Sequence, residues 1–233
     1  MPIATDNALL PARISARNIT GVDEVRQPVR RLRVLLLKPY QKVVAGIQSP
    51  PLGLLYLTSS IREKFNHNID IRVVDMKVAE MSDQDLVPTL QSFQPDVIGF
   101  SALNYEARAS YNIARTAKAL DPAVITVMGG PFALNNAATV FEESSIDWVF
   151  EGPADHTFPE ALFRLACDVE QGTDIPGFSR RMPDGSLYFS KTQDFIADID
   201  TLPMPAWDIV DFDLYAGKPN HAANLTPKRH APL

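Results

Sequence analysis

The sequence predicts a doubly wound α/β fold, because short β-rich runs alternate with longer amphipathic segments from residue 33 to residue 150. Such alternation is typical of parallel strands that are joined by helical crossovers. Two of the runs, Val34–Leu37 and Val97–Phe100, contain no polar side chain. Continuous apolar runs are expected of central strands that helices cover on both faces of the sheet.

Five strands and five helices are predicted. The strands are Arg33–Lys38, Ile69–Asp75, Asp96–Ser101, Ala123–Met128 and Asp147–Phe150. The helices are Leu52–Phe65, Asp83–Ser92, Tyr105–Leu120, Asn135–Glu143 and Thr157–Glu170. Ser82 is a suitable N-cap for the second helix, and Asp121-Pro122 ends the third. Right-handed crossovers then favour a flavodoxin-like, or more broadly Rossmann-like, five-stranded parallel sheet in the order 2-1-3-4-5.

The character of the sequence changes after residue 170. Asp184-Gly185 between short apolar runs predicts a C-terminal hairpin, and the proline-dense segment Asp198–Asp208 predicts an extended strap packed on a surface. The domain prediction is therefore a mobile leader at 1–31, an α/β domain at 32–170, a hairpin and linker strap at 171–215, and a mobile tail at 216–233.

Composition excludes several classes of function. A chain of 233 residues with 45% hydrophobic residues can bury a full core, and its net charge of -6 disfavours a nucleic-acid partner. No apolar run reaches the roughly 20 residues that span a bilayer, and residues 1–30 lack a signal-peptide core, so a cytoplasmic location without membrane contact is expected. The single cysteine, Cys167, excludes an internal disulfide.

Three turns suited to a large ligand follow predicted strands: Ser49–Leu57, Ser101-Ala102-Leu103 and Gly129-Gly130-Pro131. The carboxyl ends of parallel strands meet at one edge, where such folds bind ligands. Neither G-x-G-x-x-G nor the Walker pattern occurs there, which removes the usual dinucleotide and P-loop interpretations. Each turn also has a purely structural interpretation, as an N-cap or a tight bend.

Four segments in this order resemble the N-terminal cobalamin-binding domain of the cobalamin-dependent radical S-adenosylmethionine enzymes: Pro50–Leu57, Pro95–Ser101, Gly129-Gly130-Pro131 and Glu151-Gly152. Leu202–Asp208 resembles the segment that links that domain to the radical barrel. The resemblance covers roughly residues 32–215. It implies cobalamin binding by Pro51, Gly53, Leu54, Ser101, Leu103, Asn104, Gly129, Gly130, Pro131, Glu151 and Gly152.

The resemblance departs from the related methionine-synthase pattern D-x-H-x-x-G, whose histidine ligates cobalt. With Gly53 as the final glycine, Gln48 stands at the aspartate and Pro50 at the histidine. The resemblance therefore implies base-off cobalamin without a protein histidine as lower ligand. A second departure is the segment Glu151-Gly152-Pro153-Ala154-Asp155, where relatives more often have Gly-Glu-Gly-Glu.

The radical enzymes also need C-x-x-x-C-x-x-C to hold a [4Fe-4S] cluster that binds S-adenosylmethionine. One cysteine cannot supply this motif. The resemblance thus implies the cofactor module of a methyltransferase-like system, not catalytic alone, whose iron–sulfur half is missing or belongs to a separate domain or chain. A fragment, a split gene and a stand-alone binder all stay open. The alternative function is a non-catalytic flavodoxin-like interaction or sensor domain that has lost its ligand.

Overall fold

One sheet organises the computed structural model, which describes residues 12–14, 27–40, 49–169 and 174–215. The strands in chain order are β1 (Ala12–Ile14), β2 (Arg33–Lys38), β3 (Asp70–Asp75), β4 (Val97–Ser101), β5 (Ile125–Gly129), β6 (Trp148–Phe150), β7 (Phe178–Arg181), β8 (Leu187–Tyr188) and β9 (Thr192–Asp194). Within these described residues the main sheet has seven strands in the order β3-β2-β4-β5-β6-β7-β8. A separate pair is formed by β1 and β9.

The doubly wound prediction is confirmed. The strands from β2 to β6 are parallel, and numbered among themselves they have the order 2-1-3-4-5. The sheet nevertheless has seven strands in the described chain rather than the predicted five. The hairpin forms around Asp184-Gly185 as predicted, but β7 pairs antiparallel with β6, placing Phe178 opposite Phe150. This pairing satisfies the backbone groups that an edge strand would otherwise expose.

The helices are α1 (Leu52–Lys64), α2 (Val87–Phe93), α3 (Ala107–Leu120), α4 (Ala137–Val140) and α5 (Thr157–Ala166). The main difference from the sequence prediction is α4, which is a single turn. Asn135 has a φ of 55° and Asn136 a φ of -135°, so the backbone there is not helical. In the same way α5 ends early, because Asp168 has a φ of 53°.

The helices divide between the two faces of the sheet. Alternate residues of a strand point to opposite faces, so neighbouring residues of β2 and β4 join different clusters. Leu36 and Val127 pack on the face covered by α1 and α5, hereafter the α1/α5 face. Ile98 packs with Ile113 on the opposite face, under α2 and α3, hereafter the α2/α3 face.

The proline-dense segment packs against α1 and β3, as predicted for a strap. Ala206 donates its backbone N–H to the carbonyl of Leu55 over 3.2 Å, and Tyr215 donates its hydroxyl to Asp75 over 3.0 Å. Short 3-10 turns, one of them at Trp207–Ile209, interrupt the extended backbone. Residues 1–11 and 15–26 of the predicted leader and the predicted tail at 216–233 lie outside the described residues.

Among the described helices, none is long and apolar enough to cross a membrane.

Candidate functional site

A cavity of about 220 Å³ opens at the carboxyl edge of the parallel strands, on the α1/α5 face. Its floor is a row of positions that lie opposite one another in register, namely Leu36, Gly99 and Val127 on β2, β4 and β5. Phe150 and Phe158 contribute aromatic rings to its wall, and these rings pack edge to face. The cavity therefore lies between the sheet and the two helices that cover this face.

Gly99 creates the hollow in the floor. A Cβ at this position would lie 2.9 Å from Leu36 Cδ2 and 3.9 Å from Phe158 Cζ. Any larger side chain would project into the space that the cavity occupies. Glycine inside a strand often marks a site where a ligand or another backbone approaches closely, because glycine has no side chain to obstruct the approach. The floor is thus apolar, and position 99 places no side chain in the space above it.

The glycines at the cavity mouth differ in whether the surrounding structure requires glycine at their position. Gly130 has a φ of 79°, and a Cβ on it would lie 2.7 Å from the backbone nitrogen of Ala102. The fold itself demands glycine there. By contrast, a Cβ on Gly53 would meet no atom within 4 Å. Glycine in a helix costs roughly 0.5–1 kcal/mol relative to alanine, so its presence at the first turn of α1 has no explanation in the protein's own packing.

The structure brings together six of the eleven residues that the sequence predicts as ligand contacts. These six line the cavity: Gly53, Leu54, Ser101, Gly129, Gly130 and Gly152. They come from three strand ends and the start of α1, which confirms that the predicted turns share one edge of the sheet.

The other five predicted contacts do not line the cavity. Pro51 lines a separate groove between α1, β3 and the strap. Leu103 and Asn104 continue the loop from Ser101 to the start of α3, and Pro131 is an exposed residue after Gly130.

Glu151 is the remaining predicted contact. Its carboxylate accepts hydrogen bonds from backbone amides of residues 135–137 and, over 3.4 Å, from the hydroxyl of Ser179. Burial nevertheless raises its pKa above the ordinary value. Its hydrogen bonds brace the loop before α4.

A buried ion pair fixes the loop that follows β4. Glu106 is only 1% exposed, and its Oε2 accepts a 2.8 Å hydrogen bond from the backbone N–H of Leu103. Lys38 at the end of β2 donates to the same oxygen over 2.8 Å. The pair ties two strand ends at the cavity edge to the start of α3.

Gly99 and Asp155 line the cavity but are not among the residues predicted from the sequence. Asp155 is the only ionisable side chain among the described lining residues, and Ser101 is the only one with a hydroxyl. Burial raises the pKa of Asp155, and the nearby charge of Asp194 raises it further, although its own backbone amide and His156 act in the opposite direction. The polar chemistry of the cavity thus rests on two side chains.

Two histidines, His67 and His156, lie in the described part of the chain. Pro50 occupies the predicted position, and its carbonyl accepts a 2.8 Å hydrogen bond from Leu52. His67 follows α1 and precedes β3, at the opposite edge of the sheet. His156 lies beside the cavity, with Nδ1 3.5 Å from Asp194 Oδ2. No group of three metal-ligating side chains occurs among the described residues.

The described fold is a doubly wound domain with a cavity at the carboxyl edge of its parallel strands. Residues 42–162 match the family model of the B12 binding domain. The chain belongs to this B12-binding family.

Curated relatives are considerably longer than this chain. The chain is 30% identical over 186 residues to an uncharacterized methyltransferase, PH0819, of Pyrococcus horikoshii. This alignment covers 78% of this chain and 39% of the relative. It is 24% identical over 194 residues to the anaerobic magnesium-protoporphyrin IX monomethyl ester cyclase of Rubrivivax gelatinosus, covering 79% of this chain and 34% of that protein. The chain thus spans little more than a third of these relatives.

Solved structures share the fold. The cobalamin-dependent S-adenosylmethionine radical enzyme OxsB with aqua-cobalamin bound aligns with a TM-score of 0.64 and 17% identity, over 77% of this chain and 24% of that chain. The radical S-adenosylmethionine methyltransferase TsrM from Kitasatospora setae, with cobalamin and a [4Fe-4S] cluster bound, aligns with a TM-score of 0.56 and 20% identity. That alignment covers 76% of this chain and 31% of that chain. Both alignments cover a minor part of the solved enzyme.

Proposed function

We propose that the chain binds cobalamin with its nucleotide tail in the cavity of the α1/α5 face. The observation that supports this most directly is the hollow that Gly99 leaves in the floor, at the strand ends of a B12-binding domain. An apolar cavity of about 150 Å³ accepts a benzene ring. The present cavity of about 220 Å³ has room for a larger aromatic base, which Phe150 and Phe158 can contact edge to face.

The residues at the cavity edge suit the rest of the tail. Gly53 leaves open space at the start of α1, and Gly129-Gly130 allow a chain of atoms to pass close to the backbone. Ser101 offers a hydroxyl that can both donate and accept a hydrogen bond. Residues of this chain therefore bind and orient the cofactor, whose cobalt supplies methyl-transfer chemistry when it is bound.

The cofactor is bound base-off. A base that occupies the cavity is removed from the cobalt, and Pro50 stands where the family pattern has its ligating histidine. His67 lies at the wrong edge, and His156 is directed toward Asp194. The expectation is a cobalt without a lower ligand from the described protein. Axial ligation is one of the ways in which a protein tunes a cofactor metal, so its loss alters the chemistry available.

The chain serves as the cofactor module of a radical S-adenosylmethionine methyltransferase-like system. Its single cysteine cannot hold a [4Fe-4S] cluster of the three-cysteine type, so the cluster and S-adenosylmethionine belong to another domain or chain. The resemblance to methyltransferases and the small share of them that this chain covers support this assignment. A sensor domain that has lost its ligand is less well supported, because the cavity persists.

Titration of the purified chain with hydroxocobalamin tests the proposal. We expect one cobalamin per chain, co-elution on gel filtration and a visible spectrum of the base-off form. Absence of both a spectral change and co-elution would contradict cobalamin binding. A base-on spectrum with full binding would leave the cofactor in place but contradict insertion of the base. A His156→Ala variant should give the same base-off spectrum as the wild type.

A further inference from the structure

Two polar side chains interrupt the otherwise apolar lining of the cavity. Among the described lining residues, Ser101 has a hydroxyl and Asp155 a carboxyl group, while the others are apolar or glycine. A carboxylate is costly to remove from water unless donors satisfy its oxygens. Asp155 is half-buried, and its own backbone amide is the hydrogen-bond donor found for it within the described chain. Its carboxylate retains acceptor capacity, and Asp155 lines a space that a ligand can enter.

Asp155 lies at the mouth of the cavity and not at the floor. It belongs to the turn between β6 and α5, which also contains Gly152 at the carboxyl edge. The floor residues Leu36 and Val127 are 1% and 3% exposed. An apolar base fits the floor, and the sugar to which the base is attached must then sit at the mouth, because the phosphate beyond it has to leave the cavity.

The charged groups near the Asp155 carboxylate are His156, which attracts it, and Asp194, which repels it. His156 follows directly in sequence, but its Nδ1 is 3.5 Å from Asp194 Oδ2 and so is directed to β9. Asp194 is an acid and repels Asp155, which raises the pKa of Asp155. A pair of hydroxyl donors is therefore a more suitable partner than a second acid or a phosphate.

From this geometry we infer that Asp155 recognises the free hydroxyl groups of the ribose in the nucleotide tail, an inference that rests on the proposed binding of cobalamin. Carboxylates take this role toward ribose in other doubly wound nucleotide-binding domains, where the acid also follows a strand end. Asp155 is thus a binding residue that favours corrinoids with a complete nucleotide tail. Cobinamide, a corrinoid without the ribose, phosphate and base, gains nothing from it.

Affinity measurements on the full chain with cobalamin and with cobinamide test this contact. Asp155→Ala should weaken cobalamin binding about tenfold or more, as expected for a lost hydrogen bond to a charged group, and leave cobinamide binding within about twofold. Asp155→Asn keeps the shape of the side chain and one acceptor oxygen, so its affinity for cobalamin should fall only about threefold. Its affinity for cobinamide should not change. Asp200→Ala, which removes an exposed acid outside the cavity, is the matched control and should change neither.

The outcomes separate the two proposals. If the wild-type chain binds neither corrinoid, the proposed function is wrong. If it binds cobalamin and both Asp155 variants weaken the two corrinoids equally, or weaken neither, the ribose contact is wrong while cobalamin binding stands. Because the asparagine variant preserves packing, it gives the answer even where the alanine variant is too unstable to measure.

Discussion

The two faces of the sheet differ in what adjacent residues of β4 contribute to them. On the α2/α3 face, Ile98 is fully buried against Ile113. On the α1/α5 face, the next residue of the same strand is Gly99, and the space beside it is the cavity. Because alternate residues of a strand serve opposite faces, one strand can give a buried side chain to the core on one side and border a cavity on the other. On the proposed function, Ile98 serves stability and the adjacent Gly99 serves binding.

The largest expected effect comes from filling the floor. Gly99→Val should reduce cobalamin affinity by at least about 100-fold, because its methyl groups occupy the space of the base. The same change should cost roughly 1–3 kcal/mol of stability, since Leu36 must move to accommodate the added atoms. Isothermal titration with hydroxocobalamin and urea unfolding measure the two quantities.

Ile98→Ala is the matched change on the other face. It should lower the free energy of unfolding by roughly 2–5 kcal/mol, as expected for truncating a buried side chain, while affinity stays within about twofold. Similar losses of affinity in the two variants would mean that the faces do not divide the two tasks.

A smaller effect is expected at the mouth of the cavity. Gly53→Leu should leave stability unchanged or raise it by up to about 1 kcal/mol, because leucine is a better helix former and the added atoms meet open space. Affinity should fall by about tenfold as the side chain obstructs the mouth. Ser92→Leu, an equivalent change at an exposed position of α2, should not alter affinity.

Asp155→Asn should stabilise the protein at pH 7. The folded state raises the pKa of Asp155 above its ordinary value of 3.8, so the folded chain holds this proton more tightly than the unfolded chain. The resulting stabilisation is present below pH 3.8 and is lost as the pH rises through the folded pKa, which leaves a destabilising charge at neutral pH. The advantage of the asparagine variant in urea unfolding should narrow toward pH 4, and an advantage independent of pH would contradict this account.

The smallest effect is expected far from the cavity, at the strap. Arg62 donates to both carboxylate oxygens of Asp208 over 2.9 Å, but Asp208 is 65% exposed. Arg62→Ala should therefore cost no more than about 1 kcal/mol, as for other exposed ion pairs, without changing cobalamin affinity. A large loss of affinity would show that the strap is coupled to the cavity.

The sequence predicts the parallel core and the shared edge well, because each signal is local. Ser101 and Gly129-Gly130 follow apolar runs directly, and adjacent parallel strands bring such turns together. Gly99 could not be recognised as the floor, since its importance depends on register with Leu36 and Val127 across three strands.

Other features also depend on long-range geometry. The Asp184-Gly185 turn predicts a hairpin but not its pairing with β6, which joins residues distant in sequence. Gly130 was predicted as a ligand contact, and it lines the cavity. Its φ of 79° shows that the backbone also requires glycine, so a substitution there cannot separate binding from folding.

The pairing of the hairpin with the sheet has a consequence for the entropy of binding. Glu151 donates its backbone N–H to the carbonyl of Gly177 over 2.8 Å, and Gly177 donates to Thr192 over 2.7 Å. The turn that holds Gly152 and Asp155 is therefore fixed from the side of the hairpin before a ligand arrives. Because a preorganised turn has little freedom left to lose, little of the interaction free energy at the mouth is consumed in ordering it.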